Sequence, residues 1–134
     1  MHLRRLTYAS RVLPTIATTD LRQILGLAEV LHRRHDLTGV LAFTGRHFFQ
    51  VIEGAVAEVD TLLDLIRADD RHDQIQVLCD EVVALRLFDR WYGVFIDSLD
   101  VCDQVAAAHV AQEKDCHCAR HLIEEVSGMK GQSA

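Results

Sequence analysis

Phe48-Phe49-Gln50-Val51-Ile52-Glu53-Gly54 is the stretch whose reading decides the fold of this 134-residue chain. Under the period of two that a strand imposes, Phe48, Gln50 and Ile52 share one face, and Gly54 breaks the run. A glutamine amide among apolar neighbours must be hydrogen-bonded at both ends, or it costs about 1–3 kcal/mol. Upstream, residues 37–43 read as a second strand. Thr44-Gly45-Arg46-His47 joins the two as a hairpin with glycine in the turn.

Working outward, residues 2–10 alternate as a strand with Leu6 and Tyr8 on one face. Thr18-Thr19-Asp20 then supplies capping residues for a helix whose stripe is Leu21, Ile24, Leu25, Ala28 and Leu31, fraying near Arg33-Arg34. Beyond Gly54, Val56, Val59, Leu62, Leu63 and Ile66 mark a second amphipathic helix that ends in Asp69-Asp70-Arg71-His72. Residues 75–83 read as a further strand or strand pair, and residues 91–96 as another. Val101, Val105, Ala108 and Ala111 suggest a third helix. Ala119, Leu122, Ile123 and Val126 suggest a fourth, stopped by Gly128.

The order is βαββαββ followed by two helices. The expected fold class is α+β: a ferredoxin-like mixed sheet with two helices on one face, and two carboxy-terminal helices that cover the other face or a partner. Residues 1–98 form the core domain, 99–128 a helical cap or output segment, and 129–134 a loose tail.

Apolar residues make up 49% of the chain, enough to fill one core, and no run of 18 apolar residues spans a bilayer. The amino terminus passes into the first strand without an apolar signal core, so a cytoplasmic location is expected. Residues 1–48 carry seven Arg against three Asp/Glu (7 − 3 = +4), and residues 49–134 carry seven Lys+Arg against 17 Asp/Glu (7 − 17 = −10). The acidic half disfavours direct nucleic-acid binding. The basic half suits a small phosphorylated ligand, or simply complements the acidic half.

Cys79, Cys102, Cys116 and Cys118 would allow two disulfides, but nothing in the sequence points to an oxidising compartment, and Cys79 reads as a small core residue. Cys116, His117, Cys118 and His121 stand close enough along a helix to suggest metal ligands. Cys-x-Cys is a weak spacing and a further ligand pair is missing, so a helix surface with reactive thiols is the plainer reading and no metal is assigned. Nor does a nucleophile–base or carboxylate pair fall in one pocket, and an enzyme is not expected.

Tyr8 and Gln50 are the polar residues that the register places among apolar ones. A ligand rich in donors and acceptors would satisfy both. So would a backbone partner for Gln50 and a solvent-facing hydroxyl for Tyr8.

Over about residues 3–98 the chain resembles the BLUF domains, blue-light sensors that bind a flavin. The carrying residues are Leu3-Arg4-Arg5-Leu6-Thr7-Tyr8-Ala9-Ser10, Asp20-Leu21, Ile24-Leu25, Leu37-Thr38-Gly39-Val40-Leu41 and the stretch from Phe48 to Gly54. Val59, Asp69-Asp70-Arg71-His72, Arg86 with Phe88, and Trp91 follow. The resemblance implies an isoalloxazine ring between the two helices above the sheet, as FAD, with FMN or riboflavin as alternatives. It implies that Tyr8 hydrogen-bonds Gln50, whose amide meets the flavin, and that Ile24, Leu25, His32, Arg71 and His72 also hold the cofactor. In this family the tyrosine gives an electron and a proton to the light-excited flavin, and recombination leaves the glutamine rearranged and the flavin spectrum red-shifted. A phenol supplies both electron and proton, and an amide can exchange donor and acceptor ends. The signal is thought to leave through the last strand at Trp91 towards the carboxy-terminal helices.

Two positions depart from the family pattern. His32 stands where an asparagine usually holds the flavin's pyrimidine edge, and an imidazole cannot present an amide's paired donor and acceptor. Gly93 stands where a methionine usually follows the tryptophan by two residues, and glycine is expected to leave a gap there and loosen the strand. The resemblance implies a photoreceptor that signals to an unidentified downstream protein and assembles as a dimer or larger homo-oligomer, a tendency the apolar stripe of the last helices matches. The alternative is a regulatory or interaction module of the same fold, its flavin photochemistry weakened or lost, with another ligand in the pocket.

Overall fold

The computed structural model describes residues 2–14 and 18–129. In chain order the elements are β1 (Leu3–Val12), α1 (Thr18–Arg34), β2 (Thr38–Phe43), β3 (His47–Gly54), α2 (Val56–Ala68), β4 (His72–Val83), β5 (Trp91–Phe95), α3 (Leu99–Ala111) and α4 (Cys116–Ser127). The α+β order expected from the sequence is the order found. The side chains of Thr18 and Thr19, on which the expected capping rests, and the residues beyond Met129 lie outside what the structure describes.

The five strands form one sheet in the order β4-β1-β3-β2-β5. β3 runs antiparallel to both β1 and β2, whereas β5 lies parallel to β2, so the sheet is mixed. Tyr8 stands directly opposite Gln50 in the β1–β3 ladder, and Leu6 opposite Ile52. Gly39 sits at φ +149, and a Cβ there would overlap the Val51 carbonyl oxygen; only glycine lets β2 lie this close to β3.

The alternation on the strands sorts the core into two layers. On one face, Leu6, Tyr8 and Ile52 pack with Val59 and Leu62 of α2, while Phe48 and Leu41 pack with Leu21 of α1. On the other, Ala9, Val40, Phe49 and Val51 pack with Val101 and Val105 of α3 and with Leu122, Ile123 and Val126 of α4. The apolar stripes of the last helices therefore cover this chain's own sheet, the first of the two alternatives expected for them. Side-chain caps begin both helices: Ser98 Oγ accepts from the Val101 N–H (3.3 Å) and an Asp115 carboxylate oxygen from the Cys118 N–H (3.0 Å).

β4 is a single strand and begins three residues earlier than its alternation suggests, so His72 opens the strand instead of closing α2. Register shifts between Thr7 and Tyr8 and between Ala9 and Arg11 accompany a left-handed Gln74 (φ 52), and such bulges hide a strand's start from a strict period of two. The basic residues of β1 complement the acidic ones of the second half. Arg4 pairs with Asp80 and Asp60, Arg5 with Glu53 and Glu81, and Arg11 with Asp73.

Cys79 is buried, as its apolar neighbourhood suggests, but it is disulfide-bonded to Cys116, which ties the start of α4 to β4. The bond removes Cys116 from any metal-ligand set. Among the described residues no group of three or more His, Cys, Asp or Glu gathers as a metal site. Cys118 is a free thiol, and His121 lies 3.5 Å from Glu125 on its own helix. Among the described residues no helix is long and apolar enough to cross a membrane.

Candidate functional site: a slot between the first two helices

Tyr8 and Gln50 are central residues of neighbouring strands, and both side chains rise from the sheet into the space between α1 and α2. Both are almost completely buried. The Tyr8 hydroxyl donates to Gln50 Oε1, so neither a backbone partner for Gln50 nor a solvent-facing Tyr8 describes the site. Burial, with a smaller contribution from Asp69, raises the Tyr8 phenol well above its ordinary pKa, and the proton stays on oxygen in this bond.

His32 completes the cluster from the last turn of α1. Beyond that turn Asp36 adopts a left-handed conformation (φ 53), which returns the Leu37 N–H to the His32 carbonyl at 2.8 Å and fixes the helix end. His32 Nδ1 lies 2.5 Å from the Ala28 carbonyl oxygen. A carbonyl only accepts, so Nδ1 carries the hydrogen, and the Nε2 lone pair accepts from Gln50 Nε2 at 3.4 Å. The imidazole also stacks on the Trp91 indole, with centroids 3.7 Å apart and planes 27° off parallel.

Burial lowers the His32 pKa from 6.5 to about 4, against the opposing pull of the Ala28 carbonyl. The unfolded chain therefore binds a proton between those pH values that the folded protein refuses. Stability is full above about pH 6.5 and falls as the pH drops towards 4, by at most about 3 kcal/mol from this group. His47, lowered chiefly by its own burial, acts in the same direction. Denaturant unfolding across this range is expected to show a flatter pH dependence in His32→Asn than in the unsubstituted protein. An unchanged slope would contradict this assignment.

Above Tyr8 and Gln50 opens a cavity of about 690 Å³, walled by apolar side chains of the two helices such as Ile24, Leu31, Leu62 and Ile66. Asp69, Asp70, Arg71 and His72 form its rim. Arg71 is held in a fork by both Asp69 carboxylate oxygens at 3.0 Å, while the Arg71 N–H donates to one of them. Burial alone would raise the Asp69 pKa, but the Arg71 guanidinium and N–H outweigh it and keep the carboxyl below its usual range. His72 lines the rim with both ring nitrogens engaged: Nε2–H donates to the Ile66 carbonyl (2.8 Å), and Nδ1 accepts from the Ser10 hydroxyl (2.7 Å). It pins β1 to the end of α2.

Leu25 is not part of this lining. It lies over Gly93, where a Cβ would stand 3.3 Å from Leu25 Cδ2. The gap expected at Gly93 is thus partly filled from α1, beside a smaller crevice that Trp91 borders. Trp91 reaches the site through His32, without lining the main cavity.

Glu53 has the largest structural role that the strand pattern left unassigned. Its fully buried carboxylate accepts from Arg5 Nε (2.8 Å), the Leu87 N–H (2.8 Å) and the Phe88 N–H (3.0 Å), and Arg86 closes over the same corner through Thr38 Oγ1 and the Glu53 carbonyl. The signal was present in sequence as a glutamate in register with Phe49 and Val51, opposite an arginine on β1.

A sheet floored by a buried phenol–amide pair, with two helices forming a largely apolar slot above it, defines an α+β domain with a cofactor-sized slot on its sheet. A family model described as BLUF, sensors of blue-light using FAD, matches residues 3–93, and the chain belongs to this family of flavin-based blue-light sensors. It is 33% identical over 85 residues to the blue light- and temperature-regulated antirepressor BluF of Escherichia coli (strain K12), covering 63% of this chain and 21% of that protein. It is 32% identical over 93 residues to the photoactivated adenylate cyclase subunit beta of Euglena gracilis, covering 68% and 11%. The chain thus spans about a fifth or less of these curated relatives. Among solved structures, the dark state of BlrB, a BLUF protein, superposes with a TM-score of 0.77 at 28% identity, covering 95% of this chain and 96% of that one. The photo-activated state of BlsA gives 0.75 at 25% identity, covering 93% and 94%.

The residues present suit a flavin. The cavity is of the size that takes a cofactor, about 300–1,000 Å³. Its walls suit a flat apolar ring, and its buried polar groups, Gln50, Tyr8 and His32, stand at the floor, where a ring edge needs donors and acceptors.

Proposed function

We propose that this protein is a blue-light photoreceptor that binds FAD in the slot above Tyr8 and Gln50 and signals to a protein partner through rearrangement of the Gln50 amide. The observation that carries this reading is the buried Tyr8–Gln50 hydrogen bond at the floor of a cofactor-sized cavity. When bound, flavin supplies absorption of blue light and a strong excited-state oxidant.

Tyr8 is the electron and proton donor. Its hydroxyl is already directed at the Gln50 carbonyl oxygen, so the proton leaves along an existing bond. Gln50 is the element that changes, because rotation of its amide exchanges an acceptor for a donor at fixed positions. The apolar walls exclude water, which keeps the floor's hydrogen bonds as the groups that respond. Arg71 and the acidic pair at the rim set the charge at the slot's mouth. Because Arg71 is committed to Asp69, the phosphate of FAD or FMN would have to compete for it, and for this reason riboflavin, which has none, is an alternative beside FMN. The change leaves through Trp91 and the helical segment 99–128, and a homo-oligomer is the proposed assembly.

Flavin-loaded Gln50→Leu is expected to keep its blue absorption band and lose the light-induced red shift, as measured by difference spectroscopy. A shift that survives this substitution would overturn the proposed mechanism.

A further inference from the structure

The structure gives Gln50 an unusual neighbour in His32. Tyr8 donates to the Gln50 oxygen, Gln50 Nε2 donates to His32 Nε2, and His32 Nδ1 donates to the Ala28 carbonyl. Every bond in this chain runs in one direction, and the direction is set at its far end. The Ala28 carbonyl requires the hydrogen on Nδ1, which leaves a lone pair on Nε2, which in turn requires the amide's NH2 side to face the ring. A neutral imidazole has one N–H. If the amide turned its oxygen towards His32, that lone pair would oppose the oxygen. The ring would then have to place its hydrogen on Nε2 and give up Ala28, or take a proton from solvent.

Either response moves or charges a ring stacked on Trp91. The centroid separation of 3.7 Å leaves no slack between imidazole and indole, and a charged ring on an indole face gains a cation–π attraction that a neutral one lacks. Trp91 opens β5, and Gly93, the next residue on that face of β5, has no side chain with which to reach the site. We propose that His32 is a positioning residue that fixes the orientation of the Gln50 amide and relays a change in that orientation to β5 through its stack on Trp91. The inference rests on Gln50 as the switching residue proposed above, but the coupling it describes is a property of the chain in the dark. Of the groups facing His32, Tyr8 is linked to it through Gln50, and His35, just beyond the end of α1, is engaged with Glu58 at 2.6 Å.

Trp91 is the single tryptophan of the chain, so tryptophan emission reports it alone. The test is a dark double-substitution cycle followed by emission and by ¹⁵N NMR of the histidine rings. Gln50→Glu presents acceptor oxygens alone to His32 and is expected to protonate it, with a change in Trp91 emission. The same substitution in a His32→Leu background is expected to leave emission unchanged. A change of equal size in both backgrounds, or none in either, would overturn the relay.

Should Gln50→Glu not fold, an acid titration of the unsubstituted protein decides the point. His32 nitrogen shifts and Trp91 emission are expected to share one midpoint, with the emission change lost in His32→Leu. Separate midpoints, or a transition that survives in His32→Leu, would count against the proposal. Under blue light, the flavin-loaded unsubstituted protein is expected to show a near-ultraviolet change from Trp91 that flavin-loaded His32→Leu lacks, and a Trp91 change that persists in the variant would again overturn the relay. If the unsubstituted protein gave no flavin shift, the photoreceptor reading would fail, and the dark cycle would still decide the relay.

Discussion

Replacing Glu53 by alanine is expected to cost about 3–5 kcal/mol of folding stability, the cost of stripping a buried ion of its partner. The substitution leaves the Arg5 guanidinium without its buried carboxylate and orphans the N–H groups of Leu87 and Phe88. Since small domains hold about 5–15 kcal/mol in total, the variant should lie near the edge of folding. Urea denaturation of Glu53→Ala beside Arg5→Leu/Glu53→Ala provides the check. The double variant no longer buries an arginine stripped of its nearest carboxylate and should recover part of the loss, while the two N–H groups keep it below the unsubstituted protein. A single variant within about 1 kcal/mol of the unsubstituted protein would mean that the carboxylate is not the keystone described here.

The second large effect concerns the Cys79–Cys116 bond. Its closed loop of 37 residues restricts the unfolded chain by an amount that corresponds to about 4 kcal/mol in the chain-entropy account. Adding a thiol reductant should move the urea midpoint of the unsubstituted protein down and leave that of Cys79→Ser/Cys116→Ser where it is. Coincident curves with and without reductant for the unsubstituted protein would contradict the pairing. α4 has other attachments, including the Asp115 N–H on the Leu78 carbonyl (2.7 Å) and Arg120 on Glu81 (3.0 Å). The reduced protein should therefore keep its helical cap while unfolding more readily.

The period of two in β1 and β3 was enough to put Tyr8 and Gln50 on one face, and the 3.6-residue stripes placed α1 and α2 above them. Those patterns are local, and burial enforces them. What the sequence could not reveal depends on contacts far apart along the chain. The early start of β4 arises from bulges against β1, and Glu53 finds its donors in a loop more than 30 residues away. The cysteine pairing depends on where α4 begins relative to β4, a geometry no spacing rule contains. His32 was legible as a departure from the family pattern. Its bond to Gln50 and its stack on Trp91 needed the end of α1 placed against the start of β5. Leu25 shows the same limit: its stripe position names the helix face, but the turn of the helix directs it onto Gly93 and away from the cavity.

The most direct test of the photoreceptor reading is the light-minus-dark absorption spectrum of the purified, flavin-loaded protein beside Gln50→Leu. The account predicts a reversible red shift of the blue band in the unsubstituted protein and none in the variant. A protein that takes up no flavin, or a bound flavin whose band does not move in blue light, would contradict it.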